Sequence, residues 1–312
     1  MAFVPGRILL TGASGFVGRH LTACLAAAYP DATLMTPAID IRDAAAVAAV
    51  VKEAAPEICV HLAAVSSVSN AERDADQAWQ VNLHGTLHLA RSILCHVPQC
   101  QLLFVSSADA YGGSFRTALQ VTEDAALAPL NVYGATKAAA DLALGSMAAH
   151  GLRVVRLRSF NHIGPGQSAQ FAVAAFARQI ARIGVGLQPP LLRVGNLDTW
   201  RDFLDVRDVC RGYVACIAQR DALAPGTILN LASGQPRRIG DVLHELQAMS
   251  GIEFEVQADH SLVRESDLPV ACGDASRARQ MLGWTPITPW ATTLRDVLED
   301  WRGRVVSEAA EG

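Results

Sequence analysis

The sequence predicts an α/β fold: a doubly wound parallel sheet with helices on both faces, followed by a smaller, mixed C-terminal lobe. Three observations predict it. Strand-like and helix-like segments alternate through the first two-thirds of the 312 residues. The strand-like runs are continuously apolar, as expected for strands covered on both faces, rather than alternating. After Phe160 the regularity ends, and Gly164-Pro165-Gly166, Gly184 to Gly186 and Pro189-Pro190 punctuate shorter elements.

In chain order, residues 7–10 read as the first strand and 16–29 as an alanine-rich helix. A short strand at 33–36, a helix at 43–54 and a buried strand at 58–62 follow. A long helix at 78–94 and a strand at 101–106 come next, then a helix at 133–150 and a strand at 154–158. Residues 208–218 read as helix and 228–231 as a strand returning to the sheet. Residues 239–249 and the tail to Trp301 form the smaller lobe. The predicted division is 1–163 plus about 203–233 for a dinucleotide-binding domain, and about 164–202 plus 234–306 for a substrate lobe.

Hydrophobic residues make up 51% of the chain and charged ones 18%, so a large core is expected. The formal net charge of −4 gives no electrostatic footprint for nucleic acid or an anionic membrane. No apolar run approaches the roughly 20 residues that cross a bilayer. The seven cysteines are scattered without a CxxC pair, and Cys95, His96 and Cys100 fit no usual zinc spacing. These features lead to an expectation of a soluble, cytoplasmic protein with reduced thiols and no metal.

Function is written first in Thr11-Gly12-Ala13-Ser14-Gly15-Phe16-Val17-Gly18, which follows a strand and opens a helix. A glycine-rich turn there lets backbone N–H groups and the helix N-terminus approach a pyrophosphate. In that context it reads as the dinucleotide loop of a Rossmann-type sheet, rather than a plain tight turn. Gly12, Ser14, Gly15, Phe16, Val17 and Gly18 are the expected cofactor contacts, with Leu62, Ala63 and Ala64 after the strand at 58–62. At the end of the second strand stand Thr36 and Pro37, where an acidic residue would hold the adenosine 2′-hydroxyl. NADPH and NADH are therefore both expected to serve, with less than roughly tenfold preference, about 1.4 kcal/mol. Asp40 and Ile41 are expected near the adenine, with helix capping as the alternative for Asp40.

Tyr133 and Lys137 are four residues apart, which stacks them on one helix face. A phenol with a pKa near about 10 is too weak an acid for fast protonation of an alkoxide. The Lys137 ammonium and a nicotinamide's positive charge would favour the phenolate. Ser107, at the end of the preceding strand, could hydrogen-bond a substrate carbonyl and its developing oxyanion. Ser107, Tyr133 and Lys137 are the expected catalytic group.

With this loop and this pair, the chain resembles the extended short-chain dehydrogenases/reductases over nearly its full length. Three stretches are similar to GDP-4-keto-6-deoxy-D-mannose reductases: Ser159 through Gln167, Val194 through Asp198, and Arg201 through Val209. The resemblance implies reduction by NADPH or NADH of a GDP-linked 4-keto-6-deoxyhexose to GDP-D-rhamnose, in a homodimer packed through the helices at 78–94 and 133–150. It also implies that Asn161 touches the sugar or diphosphate and that Arg201 and Arg264 clamp the diphosphate, a task suited to planar guanidinium groups. Asp267 would hold the ribose, and residues 194–197, among them Val194 and Asn196, would meet guanine. Arg178 is a further diphosphate candidate, with a surface arginine as the alternative.

Val132, Gly134 and Thr136 depart from the proline, alanine and serine usual around the pair, while the tyrosine and lysine stand. Related dehydratases carry two adjacent carboxylates after the serine; here Ala108 replaces the first. Asp109 alone can hydrogen-bond the sugar or cap its turn. Three other readings stay open: a nucleotide-sugar 4-epimerase, a reductase forming the C4 epimer (a GDP-6-deoxytalose), and a non-catalytic NADP(H)-binding sensor.

Overall fold

The computed structural model describes residues 3–262 and 268–311. β1 (Arg7–Thr11) leads into α1 (Phe16–Ala28), β2 (Thr33–Met35), α2 (Ala44–Ala54) and β3 (Ile58–His61). The chain continues through α3 (Val68–Arg73), α4 (Ala75–Trp79), a π turn (Gln80–Gly85) and α5 (Thr86–His96) to β4 (Gln101–Ser107). Then come α6 (Val132–Ala148), β5 (Val154–Ser159), β6 (Asn161–Ile163), α7 (Ala172–Gly184), β7 (Leu191–Val194) and β8 (Trp200–Asp205). α8 (Val206–Ala218), β9 (Thr227–Leu231), β10 (Pro236–Arg238), α9 (Ile239–Ser250) and β11 (Glu255–Ala258) follow. β12 (Val270–Ala271), α10 (Ser276–Leu282) and α11 (Trp290–Glu311) complete the chain.

The six-stranded sheet has the order β2-β1-β3-β4-β5-β9, with every pair parallel. Side chains alternate between its two faces, and both faces are covered. Ile8, Leu10, Val60 and Leu103 pack against Leu21, Leu25, Val209 and Tyr213 of α1 and α8. Leu9, Cys59, Leu102 and Phe104 pack against Val47, Leu89, Ile93 and Leu144 of α2, α5 and α6. Continuous apolar runs are thus what a doubly covered sheet requires. From β1 the chain goes outward to β2, then back past β1 to β3. This reversal opens a crevice at the carboxyl ends of β1 and β3, the place where such sheets receive ligands.

A second apolar cluster joins α7, α9 and α11, with Val173, Ile180, Leu192, Phe203, Leu243, Leu298 and Trp301. Its strands pair around β8, with β10 antiparallel and β6 and β12 parallel, while β7 pairs with β11. Among the described residues, no helix is long and apolar enough to cross a membrane.

Two of the differences from the sequence reading concern the elements that position the site. The helix expected at 78–94 begins at Ala75, capped by Asp74, and passes through the π turn before α5. The strand β8 was not expected, because its buried residues include Asp202 and Asp205, which break an apolar signal. Asp202 is satisfied by donors from two loops: the backbone N–H groups of Ser233 (2.8 Å), Gly234 (2.9 Å) and Gly273 (3.1 Å), and the Ser233 hydroxyl (2.6 Å). Asp202→Ala orphans these buried donors and should cost roughly 2–4 kcal/mol in urea unfolding. Leu119→Ser, at a side chain 94% exposed, is the control and should stay within about 0.5 kcal/mol. An equal effect of the two would contradict the anchoring role of Asp202.

Candidate active site

The loop between β1 and α1 can take only small residues. Gly12 has φ of +74°, and a Cβ there would lie 2.7 Å from the Ala63 backbone nitrogen. Gly12 therefore lets the loop press against Leu62 and Ala63 just after β3. Gly15 caps α1 with no side-chain hydrogen bond, and no acidic residue occupies the first turn. The amides of Phe16, Val17 and Gly18 thus open a positive helix terminus beside the exposed Ser14. Close backbone approach and an uncapped helix fit a dinucleotide pyrophosphate.

Arg42 chelates Asp40 through Nε (2.9 and 3.1 Å) and Nη2 (2.7 Å). These hydrogen bonds hold the carboxyl at about 2. The cap of α2 is Asp43, which accepts from the Ala45 and Ala46 N–H groups, so the capping alternative for Asp40 is set aside. Ile41 is buried beneath it.

Ser107 ends β4, and its Oγ accepts from the Asp109 N–H at 3.1 Å. Tyr133 stands in the first turn of α6, capped by Asn131, which accepts from the Gly134 N–H at 2.7 Å. A Cβ on Gly134 would lie 2.6 Å from the Asp109 carbonyl oxygen. That close approach brings α6 onto the turn after Ser107. Burial pushes the Tyr133 phenol up, the Asp109 charge pushes it further, and the Ser107 hydroxyl opposes both.

Lys137, one turn on, donates from Nζ to the Val105 carbonyl at 2.8 Å and lies 5.2 Å over the Phe104 ring. Burial brings its ammonium down to about 8, against the pull of Asp141. The sequence reading expected the Lys137 charge to favour the phenolate; here burial dominates and the phenol stays protonated.

A buried polar chain joins the glycine loop to this group. The Ala63 N–H donates to Thr11 Oγ1 (3.3 Å), and Thr11 Oγ1 lies 2.7 Å from His61 Nδ1. His61 Nε2 lies 3.0 Å from Thr86 Oγ1, whose hydroxyl donates to the Asn82 carbonyl (2.7 Å). With that proton committed, His61 donates from Nε2 and accepts at Nδ1. Burial, helped by Lys137, pushes His61 down to about 3, consistent with this neutral form. Asn82 Nδ2 then donates to Thr136 Oγ1 (2.9 Å), and Thr136 to the Tyr133 carbonyl (2.8 Å).

A cavity of about 350 Å³ extends from this group towards the smaller lobe. Asp109, Asn161, Val194, Asn196 and Arg201, the substrate contacts the resemblance implies, all line it. Ser107 and Tyr133 lie against one end, because Ala108 and Asn131 are part of its wall. Arg201 donates from Nη1 to the carbonyls of Trp200 (2.9 Å) and Leu268 (2.7 Å).

Arg178 is a correction. Ala172, Ala175, Phe176 and Gln179 turn towards the cavity, which leaves Arg178 on another face of α7, 3.9 Å from Glu308. Arg264 and Asp267 lie outside the described residues. Residues the sequence reading missed include Arg193, Gln167 and His162. Arg193 is one strand position before Val194. His162 stacks on Phe16 at 6.1 Å and 9°, joining the cofactor helix to the cavity wall.

Residues 8–232 match the model of the NAD dependent epimerase/dehydratase family. The chain is 37% identical over 305 residues to the GDP-6-deoxy-D-mannose reductase of Pseudomonas aeruginosa, covering 97% of this chain and 99% of that protein. It is 27% identical to the GDP-6-deoxy-D-talose 4-dehydrogenase of Aggregatibacter actinomycetemcomitans, covering 89% and 91%. The solved structure of RMD from Pseudomonas aeruginosa complexed with NADPH superposes with a TM-score of 0.88 at 35% identity, covering 96% and 99%.

If the loop is the cofactor cradle, Gly12→Ala should raise the Kd for NADPH at least about 100-fold, or 2.7 kcal/mol. Titration of the folded variant checks this, and a change below about threefold would contradict it.

Proposed function

The chain belongs to the NAD dependent epimerase/dehydratase family, and we propose that it reduces the 4-keto group of GDP-4-keto-6-deoxy-D-mannose to GDP-D-rhamnose. The observation that carries this reading is the close packing of the Tyr133 turn of α6 on the turn after Ser107, with the neighbouring Ala108, Asp109 and Asn131 in the cavity wall. The relation to the reductase of Pseudomonas aeruginosa supports the GDP sugar, and the NADPH complex supports NADPH, with NADH as the second cofactor. When bound, the nicotinamide supplies the two electrons and one hydrogen of the reduction.

The chain's own residues supply the proton and the setting. Tyr133, held neutral by burial, donates its phenolic proton to the substrate oxygen as charge develops there. The Ser107 hydroxyl shares that developing charge. The Lys137 ammonium stabilises the phenolate left behind. With Ala108 next to Ser107, Asp109 stands without a neighbouring carboxylate, so elimination of water has no acid/base pair and reduction is the reaction supported.

Gly12, Ser14, Gly15, Phe16, Val17 and Gly18, with Leu62 to Ala64, hold the pyrophosphate and nicotinamide side, and Asp40 and Ile41 the adenine side. Asn161, Asp109 and Arg201 meet the sugar and diphosphate, with Arg264 and Asp267 assigned to diphosphate and ribose. Val194 and Asn196 face guanine. The domain division proposed with it is 1–163 plus about 203–233 for the cofactor and about 164–202 plus 234–306 for the substrate. A cytoplasmic homodimer through α5 and α6 belongs to the same reading, supported by Leu142 of α6 being 61% exposed.

A second reading has one specific support: the relation to the 6-deoxytalose enzyme favours delivery to the other face of the sugar. The test is oxidation of NADPH with GDP-4-keto-6-deoxymannose, alongside the TDP- and UDP-linked keto sugars, with the product assigned by NMR. Turnover confined to the GDP sugar with the rhamno configuration supports the proposal; the talo configuration selects the second reading. No oxidation with any keto sugar contradicts both.

Arg201→Ala should raise KM for the GDP sugar at least about tenfold, 1.4 kcal/mol, while Kd for NADPH moves less than about twofold. Equal losses in both would contradict its role. Lys137 carries its charge below its lowered pKa and loses it above, so kcat should fall with a midpoint near about 8 as pH rises. A flat profile up to pH 10 would contradict that part.

A further inference from the structure

We propose that Asp141, gripped by Arg156 and Arg158, is the counter-charge of Lys137 and the positioning residue that seats the catalytic helix on the sheet. This rests on the reading of Lys137 given above. Asp141 lies four residues after Lys137, on the same face of α6 and one turn deeper, with no exposed surface. Its carboxylate accepts from Arg158 Nε and Nη2, each at 3.0 Å, and from Arg156 Nη1 at 3.0 Å. Both arginines belong to β5, whose last residue, Ser159, pairs with Ser107. Arg158 Nη1 also donates to the Tyr111 hydroxyl and the Glu123 carbonyl, each at 3.0 Å. Tyr111 follows Ser107 by four residues, so one buried cluster touches α6, β5 and the turn that carries the proposed oxyanion donor.

Two guanidinium groups on one carboxylate are more than its burial requires for pairing, since Arg158 alone makes a bidentate bond. The excess sets a balance that Lys137 feels. Asp141 attracts the ammonium, and Arg156 and Arg158 partly cancel that attraction. The other groups near Lys137 are Tyr133, one turn before it on α6, and His61 on β3, with Asp109 on the turn after β4 acting on Tyr133. His61 is neutral. Of these charges, Asp141 is the one that supports the Lys137 ammonium against burial.

The sequence makes a direct test possible, because Lys52 and Lys137 are the only lysines in the chain. Protein labelled with 13Cε-lysine gives two side-chain signals, and Lys52 is exposed. The Lys137 signal should titrate near about 8 in the parent. Asp141→Asn should move that midpoint down by about one pH unit, and Arg156→Gln should move it up by about half a unit. Arg156→Gln keeps the bidentate Arg158–Asp141 pair, so it carries the test even where Asp141→Asn does not fold. Opposite displacements support the counter-charge. A midpoint that stays put in Arg156→Gln, or moves downward, overturns it. In the folded variants the alkaline limb of kcat should follow the NMR midpoint. A limb that ignores a displaced midpoint still supports the counter-charge and overturns the part given to Lys137 in ketoreduction.

Discussion

The continuous hydrogen-bond chain from Thr11 through His61, Thr86, Asn82 and Thr136 to the Tyr133 carbonyl is the constraint on which the site depends. It starts one residue from the glycine that admits the cofactor loop and ends on the residue that carries the phenol. Every member is buried, so each link that failed would strand a polar group away from water at a cost of roughly 1–3 kcal/mol. The chain works only in one arrangement of β1, β3, the π turn and α6. The π turn has a physical reason within it: Asn82 closes on both Val65 backbone groups (2.8 and 3.1 Å) while still reaching Thr136. The Tyr133 phenol and the glycine loop are thereby held in one register, which is what the proposed transfer needs.

The smaller lobe is tied to the sheet by carboxylates rather than by apolar surface alone. Asp202 holds the loops after β9 and around Gly273, and Asp205 caps α8 while accepting from Arg207 and Thr293. Arg201 precedes those two anchors on β8, lining the cavity and bonded to the carbonyl of Leu268. In the diphosphate role proposed for it, a guanidinium held at the backbone in this way would lose less freedom on binding.

The large-scale fold was legible because the inner strands of the sheet are buried on both faces, with apolar runs such as Ile58 to Val60 and Leu102 to Val105. The cradle and the Tyr133/Lys137 pair were legible because both are local: one a glycine spacing, the other a helical spacing. What stayed hidden depends on contacts across the chain. β8 carries Asp202, whose partners Ser233, Gly234 and Gly273 are remote in sequence, and Asp205, held by Arg207 nearby and by Thr293 from α11, so no local pattern marks it as a buried strand. The face of α7 that meets the cavity follows from where β7 and β8 pack, and this is why Arg178 was misplaced and Gln179 and Arg193 were missed. The direction of the Tyr133 shift was misread for the same reason: lysine proximity is visible in sequence, but the depth of burial is not.

The central claim, that Tyr133 gives the proton in a ketoreduction, is tested most directly by Tyr133→Phe, which removes one oxygen from a packed ring. Single-turnover reduction of the GDP-linked keto sugar should slow at least about 1,000-fold, some 4 kcal/mol of barrier, while Kd for NADPH changes less than about twofold. Retention of the parent rate by a folded, cofactor-binding Tyr133→Phe protein would contradict the account.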